Sequence, residues 1–271
     1  MEVVKKTEQN LAKIRAEKPL LHHITNMVVM NETANATLCL GALPVMAHAT
    51  EEVCEMVEHA GALVLNIGTL TPELVKSMIL AGCHANQLGV PVILDPVGVG
   101  ATSLRTQSAL KILEEVKVAI VRGNAAEIAV LAGSEAEIKG VESIKADNNL
   151  PAVCRALAQR LKTTVAVTGP VDLVTDGERF LEISNGHSML STITGTGCMA
   201  TTAIGAFAAV EKDSFLAAAG GLLAFGIAGE LAAATTALKP GSFQVALYDA
   251  LAGLTAKDIR ERAKIKIAQE V

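Results

Sequence analysis

The sequence predicts an αβα protein, a mostly parallel sheet with helices on both faces. Three observations carry that prediction. Short, almost continuous apolar runs (LVLNIG at 63–68, VPVILDP at 90–96, VAIVRG at 118–123 and TTVAVTG at 163–169) alternate with helical stretches. Runs without a polar side are what strands buried on both faces require. Hydrophobic residues make up 51% of the chain but aromatics only 2%, so the core is built from Ala, Val, Leu and Ile. Neither a Pro/Ser-rich linker nor an internal repeat interrupts the 271 residues, which read as one domain, 1–271.

The elements follow in order. TEQNLAKIRAE (7–17) is an amphipathic surface helix stopped by Pro19. His22-His23-Ile24-Thr25-Asn26 reads as a polar loop with solvated histidines, and Asn31-Glu32 opens the apolar segment TANATLCLGA. Pro44 to Ala47 is a short strand, and Thr50-Glu51-Glu52 caps a helix reaching His59-Ala60. After the strand at 63–68, Thr71-Pro72-Glu73 starts a helix with proline in its first position. The strand at 90–96 leads through a glycine-rich loop to a helix over 104–116, and the strand at 118–123 leads to the helix of NAAEIAVLAG. Residues 134–149 form a charged, irregular excursion, and a helix over 150–162 feeds the strand TTVAVTG. Asp176-Gly177 between two apolar runs signals a hairpin. Three helical runs close the chain, at 197–210, 214–236 and 244–263.

Composition excludes several functions. With a net charge of −5, no Trp and one Tyr, the chain lacks the basic patch and stacking platform of a nucleic-acid binder. Phe215 to Gly229 is uncharged but only 15 residues long before Glu230, short of the ~20 that a membrane span needs. It reads as a central helix, so no membrane partner is expected. The N-terminus is polar, without an apolar signal core, and the five cysteines are odd in number without a CxxC pair. Both features fit a reducing, cytoplasmic setting with free thiols. Cys39, Cys54, Cys83 and Cys154 lie among apolar residues and read as core.

The chemistry gathers at strand ends. Asn66 and Gly68, Asp95, Arg122 and Asn124, and Thr168 each stand at the carboxyl end of an apolar strand. Open parallel sheets bind ligands outside those ends. Thr194-Gly195-Thr196-Gly197-Cys198-Met199-Ala200 runs from a tight loop into a buried helix, where unpaired N–H groups and the helix dipole favour an anion. This set suits phosphoryl transfer, whose loose transition state asks mainly for positioning and charge neutralisation. Asp95 and Glu127 could hold Mg²⁺ directly or through water. Arg122 offers a planar fork for phosphate oxygens and Thr168 a hydroxyl. The Gly195–Cys198 amides would receive the charge of the transferred group.

Competing motifs are missing: GxxxxGK[ST], HExxH and GxSxG do not occur. Gly195 to Ala200 matches G-x-G-x-x-A formally, but helices rather than a strand and an acidic residue follow it. The six histidines show no metal-ligand spacing.

The stretches HHITNMVVMNETANATLCLGALPVMA, LDPVGVGATSLR, RGNAAEI and TGTGCMA resemble hydroxyethylthiazole kinases, a thiamine-salvage family of the ribokinase-like superfamily. LDPVGVGA and the Asn-x-x-Glu of GNAAEI are common to many ribokinase-like kinases, whereas the N-terminal stretch with Met46 points to the thiazole enzymes. The resemblance implies a three-layer ribokinase-like fold and transfer of the γ-phosphoryl group of ATP to the primary alcohol of 4-methyl-5-(2-hydroxyethyl)thiazole, with Mg²⁺. It implies ATP contacts at Arg122 and Thr168, thiazole contacts at Met46 and Gly195, and acidic positions near the metal at Asp95 and Glu127. It also implies a homotrimer with active sites at subunit boundaries.

Cys198 stands where most ribokinase-like kinases have the Asp that acts as base, as in the thiazole enzymes. A thiol of pKa about 8.5 is a weak base at neutral pH, and a helix N-terminus is expected to lower it. Two other readings keep the same residues: a non-catalytic sensor of thiazole or nucleotide, and a hydroxymethylpyrimidine kinase or a dehydratase of hydrated nicotinamide nucleotides. Both of the latter normally carry Asp in the glycine loop.

Overall fold

The computed structural model describes residues 2–133 and 150–267, so the excursion expected at 134–149 lies outside the described residues. The elements, in order, are α1 (Glu2–Glu17), β1 (Leu20–Ile24), α2 (Met30–Leu40), β2 (Leu43–Val45), α3 (Val53–Glu58), β3 (Ala62–Asn66), α4 (Pro72–Leu88), β4 (Val92–Asp95), α5 (Ser103–Glu115), β5 (Ile120–Asn124) and α6 (Ala125–Ala132). Then come α7 (Leu150–Leu161), β6 (Thr164–Thr168), β7 (Asp172–Thr175), β8 (Phe180–Ile183), a 3₁₀ turn (Ser188–Thr192), α8 (Thr196–Ala208), α9 (Ser214–Thr235), α10 (Pro240–Gly253), α11 (Ala256–Arg262) and β9 (Ile265–Ile267).

Among the described residues nine strands form one sheet in the order β2-β1-β3-β4-β5-β6-β7-β8-β9. The first six strands pair in parallel, and β7, β8 and β9 extend the sheet antiparallel. Side chains alternate between two cores because successive Cβ atoms of a strand point to opposite faces. Ile93 and Ile120 face the core made by α1, α2 and α8–α11. Val92, Leu94 and Val121 face the one made by α3–α7. Coverage of both faces is why these strands show no polar side in sequence.

Local signals explain most boundaries. Thr71 caps α4, accepting from the Leu74 N–H at 3.1 Å, with Pro72 in the first helical position. Asn124 and Glu127 form a reciprocal capping box at the start of α6. The β7–β8 hairpin turns through Asp176-Gly177 as expected.

The structure corrects the sequence reading in several places. His22 and His23 lie in a strand, not a loop, and both are fully buried. Strand β1 runs between β2 and β3, so its two polar residues face covered layers. His22 Nε2 donates to the Ala47 carbonyl at 2.7 Å. His23 Nε2 lies 3.3 Å from the Thr37 hydroxyl, which itself donates to the Thr33 carbonyl. Each ring therefore carries a proton on Nε2. Burial pushes the His23 pKa down to about 3, and His22 moves the same way.

The run at 244–263 is two helices: the chain leaves helical geometry at Leu254, and Thr255 with Asp258 builds a second capping box. The cap signal T-x-x-D was present in the sequence. Strand β9 escaped prediction because three residues, one of them Lys266, are too short to show a period. Helix α3 begins at Val53, and Glu52 makes no side-chain cap bond. Of the four cysteines read as core, Cys154 is buried while Cys39, Cys54 and Cys83 are half-buried.

Helix α9 is longer than the uncharged run within it, 22 residues, enough to cross a bilayer by length and composition; 89% of its most apolar window is buried inside the protein. Its alanines and glycines let α8 approach closely, and a Cβ on Gly221 would lie 2.6 Å from the Ile204 Cα.

Candidate active site

Four adjacent strands deliver the rim. Asn66 ends β3, Asp95 ends β4 and pairs in register with Asn66, Arg122 lies near the end of β5, and Thr168 ends β6 opposite Asn124. Their alignment follows from parallel pairing, since carboxyl ends of parallel strands fall on one edge. Helix α8 starts at the same edge. Gly195 precedes it with φ +84°, left-handed backbone that a side chain resists, and a Cβ there would lie 2.8 Å from Val29 Cγ1. Gly197 has a different reason: a Cβ would lie 2.8 Å from both terminal nitrogens of Arg122. The guanidinium thus rests on the first turn of α8.

Asp95 is fully buried. Its Oδ2 accepts from Thr201 Oγ1 at 2.8 Å, Asn66 Nδ2 at 2.9 Å and Arg122 Nη1 at 3.5 Å. Among the described residues its Oδ1 is buried without a partner, and so is Arg122 Nε. Burial pushes the Asp95 carboxyl upward, Arg122 opposes this, and the nearby Glu127 adds to it. Arg122 Nη2 donates to the Thr168 hydroxyl. Glu127 is engaged by backbone: Oε1 accepts the Gly98 N–H and Oε2 the Asn124 N–H, both at 2.8 Å. This carboxylate therefore ties the loop after β4 to the start of α6. Asn124, expected on the rim, uses its side chain on the same cap.

Among the described residues no cluster of three or more His, Cys, Asp or Glu could hold a metal by protein groups alone. Asp95, with its orphaned oxygen, and its neighbour Glu127 make an all-oxygen pair. That pair fits a hard divalent ion which keeps waters and substrate oxygens as its remaining ligands.

Cys198 lies in the first turn of α8. The expectation that the helix start lowers its pKa is not met. Burial pushes the thiol up to about 12 and the charge of Asp95 adds to the rise, against weaker lowering by hydrogen bonds and Arg122. Desolvation of the charged form dominates, as it does for buried thiols.

Beside Arg122, Thr168 and Gly197 opens a cavity of about 620 Å³. Its lining combines the Arg122 guanidinium with the apolar side chains of Leu190, Leu222 and Phe225. Asp172 also lines it; its carboxylate accepts the Gly169 N–H at 2.9 Å, and burial pushes it up to about 7. Met46 and Gly195 do not line this cavity. Met46 follows β2, at the opposite edge of the sheet from β9 and three strands from β4, or ~14 Å at the usual spacing. The structure thus brings Asp95, Arg122, Thr168 and Cys198 together in one chain and leaves Met46 apart.

Sequence reasoning missed Thr201, Arg105 and Asp172. Thr201 was findable, because it sits four residues after Gly197 on the same helix face. Arg105 is not: it donates to the carbonyls of Ile67, Gly68 and Val97, joining the loops after β3 and β4 across a long sequence separation.

Comparison with known proteins bears on the family and the fold. A family model described as the hydroxyethylthiazole kinase family matches residues 11–257. A hydroxyethylthiazole kinase of Roseiflexus sp. (strain RS-1) is 57% identical over 255 residues, 94% of this chain and 94% of its own. That of Chloroflexus aggregans is 56% identical over 253 residues, covering 93% and 91%. The solved structure of a hydroxyethylthiazole kinase protein from Pyrococcus horikoshii OT3 superposes with a TM-score of 0.90 at 44% identity, covering 98% of this chain and 100% of its own. A ribokinase-like superfamily protein from Enterococcus faecalis V583 shares the fold at 13% identity, with a TM-score of 0.63 over 92% of this chain and 89% of its own.

A doubly covered sheet carrying this carboxylate, guanidinium and glycine-led helix start on one edge defines a ribokinase-like kinase, a phosphotransferase by class. The match extends along nearly the whole chain. It belongs to the hydroxyethylthiazole kinase family.

Proposed function

We propose that the chain, as one ribokinase-like domain, uses ATP and Mg²⁺ to phosphorylate the primary alcohol of 4-methyl-5-(2-hydroxyethyl)thiazole, in cytoplasmic thiamine salvage. The observation that carries this reading is the orphaned Asp95 oxygen beside a buried guanidinium fork at the start of α8. Asp95 and, through water, Glu127 would hold Mg²⁺, which when bound neutralises charge on the nucleotide phosphates. Arg122 and Thr168 bind phosphate oxygens, and the apolar side chains of the cavity lining receive the base. The α8 amides face the transferred group, where unpaired N–H donors stabilise developing charge. Gly195 and Cys198 receive the alcohol.

The same reading includes a homotrimer with Met46 completing the thiazole pocket from a neighbouring subunit. Support comes from apolar residues left exposed near that edge: Met27 (70%), Val28 (58%), Leu38 (53%) and Leu43 (44%). Val245 (62%) extends the surface on α10, which packs against α2. An apolar surface of that kind marks an interaction site.

The test is ADP release with ATP, Mg²⁺ and the thiazole alcohol together. The proposal expects release that depends on the alcohol and is much faster than with the hydroxymethylpyrimidine alcohol. Binding of both ligands without alcohol-dependent ADP would instead make the chain a sensor, and preference for the pyrimidine would reassign the substrate.

A further inference from the structure

Two buried amides of the rim have orientations forced by backbone donors. Asn66 Oδ1 accepts the Gly68 N–H at 2.9 Å, and a backbone N–H can only donate, so the opposite side of that amide is its NH₂. Asn26 Oδ1 accepts the Val28 N–H at 3.1 Å, which turns its NH₂ inward by the same logic. Asn26 Nδ2 then donates to Asn66 Oδ1 at 2.7 Å. With its oxygen doubly occupied, Asn66 uses its one nitrogen on two targets: Asp95 Oδ2 at 2.9 Å and Cys198 Sγ at 3.2 Å. The Asn26 nitrogen approaches the same sulfur at 3.7 Å.

Two consequences follow. The Cys198 sulfur is an acceptor toward both amides, which fix its position at the rim. Asp95 and Cys198 are also held relative to each other through a single planar amide, although they come from β4 and α8. The cluster is closely packed: Asn66 is 1% exposed, and a Cβ on Gly68 would lie 2.7 Å from Asn26 Nδ2.

We propose that Asn66 is the positioning residue for the acceptor alcohol, its one NH₂ group setting the Cys198 sulfur where the alcohol oxygen binds while holding Asp95 in place. The inference rests on the reading of this rim as the phosphoryl-transfer site. Asn26, tied to both, supports Asn66 rather than the substrate.

The experiment is a double-mutant cycle over Asn66→Ala and Cys198→Ala, with kcat and both KM values measured for ATP and for the thiazole alcohol. Expected are a 10- to 100-fold fall in kcat or a rise in KM for the alcohol in Asn66→Ala, KM for ATP within about twofold of wild type, and a double variant no worse than the weaker single. Asn66→Asp keeps the shape and the accepting oxygen but lacks both donors, and is expected to lose at least as much. Activity of Asn66→Ala near that of wild type would overturn the proposal. So would losses that multiply with those of Cys198→Ala, or a shift confined to KM for ATP. If both Asn66 variants fail to fold, Asn66 is a folding residue and the proposal falls. An inactive wild type would refute the kinase reading itself, a result separate from all of these.

Discussion

Replacing Gly197 with alanine should separate stability from activity. On helix propensity alone the change is favourable, by up to about 1 kcal/mol. Its Cβ, however, would lie 2.8 Å from Arg122 Nη1 and Nη2 and 3.2 Å from Cζ. Ordinary contact is about 3.5–4.0 Å, so the guanidinium or the first turn of α8 must move by roughly 0.5–1 Å. Arg122 has little freedom to yield, being 8% exposed, paired with Asp95 and bonded to Thr168. A fork shifted that far loses a charge-assisted bond to the nucleotide, worth about 1.5–3 kcal/mol. At about 1.4 kcal/mol per tenfold, kcat/KM should fall about 10- to 150-fold. Folding stability should stay within about 1 kcal/mol of wild type, because propensity and strain oppose each other. The assay is steady-state ADP release at varied ATP, alongside thermal melting. Gly253→Ala in α10 is the control, since nothing lies within 4 Å of the added Cβ. Wild-type kcat/KM and KM for ATP in Gly197→Ala would refute the argument that this glycine exists to seat Arg122.

Other outcomes follow from the same geometry. Asp95→Ala and Arg122→Ala should each reduce phosphoryl transfer by at least about 10²-fold while circular dichroism stays native-like, since each removes preorganised charge; activity near wild type in both would sink the site assignment. Burial lowers the folded pKa of His23 to about 3. Its contribution is therefore fully present above the unfolded value near 6.5 and is lost as pH falls toward 3, about 2 kcal/mol by pH 5. Urea midpoints at pH 7 and pH 5 should differ less in His23→Gln than in wild type, and equal differences would contradict this. Gly221→Ala should lower Tm by several degrees, because the added Cβ meets the Ile204 backbone at 2.6 Å rather than a side chain that can rotate away. An unchanged Tm would show that α8 and α9 can move apart.

Much of the fold was legible in local signals. Strands β3 to β6 announced themselves as apolar runs because both of their faces are covered, and α4 and α6 through caps whose residues sit next to the helix they start. The rim was legible for the same reason: Asn66, Asp95, Arg122 and Thr168 are polar interruptions at the ends of apolar strands. Strand β1 was misread because its burial depends on β2 and β3, contacts that a window of five residues does not contain. Strand β9 depends on the free edge of β8 in the same way.

The sequence by itself determined the class of fold, the strand-end positions of the reactive groups and the glycine-led start of α8, because backbone periodicity and capping are local properties. Tertiary structure decided what those groups are chemically. Folding left one Asp95 oxygen without a partner among the described residues, spent Glu127 on two backbone N–H groups, buried the Cys198 thiol and so raised its pKa, and set one amide between Cys198 and Asp95. Each of those outcomes depends on desolvation and on partners from distant parts of the chain, and both are established only when the sheet and α8 meet.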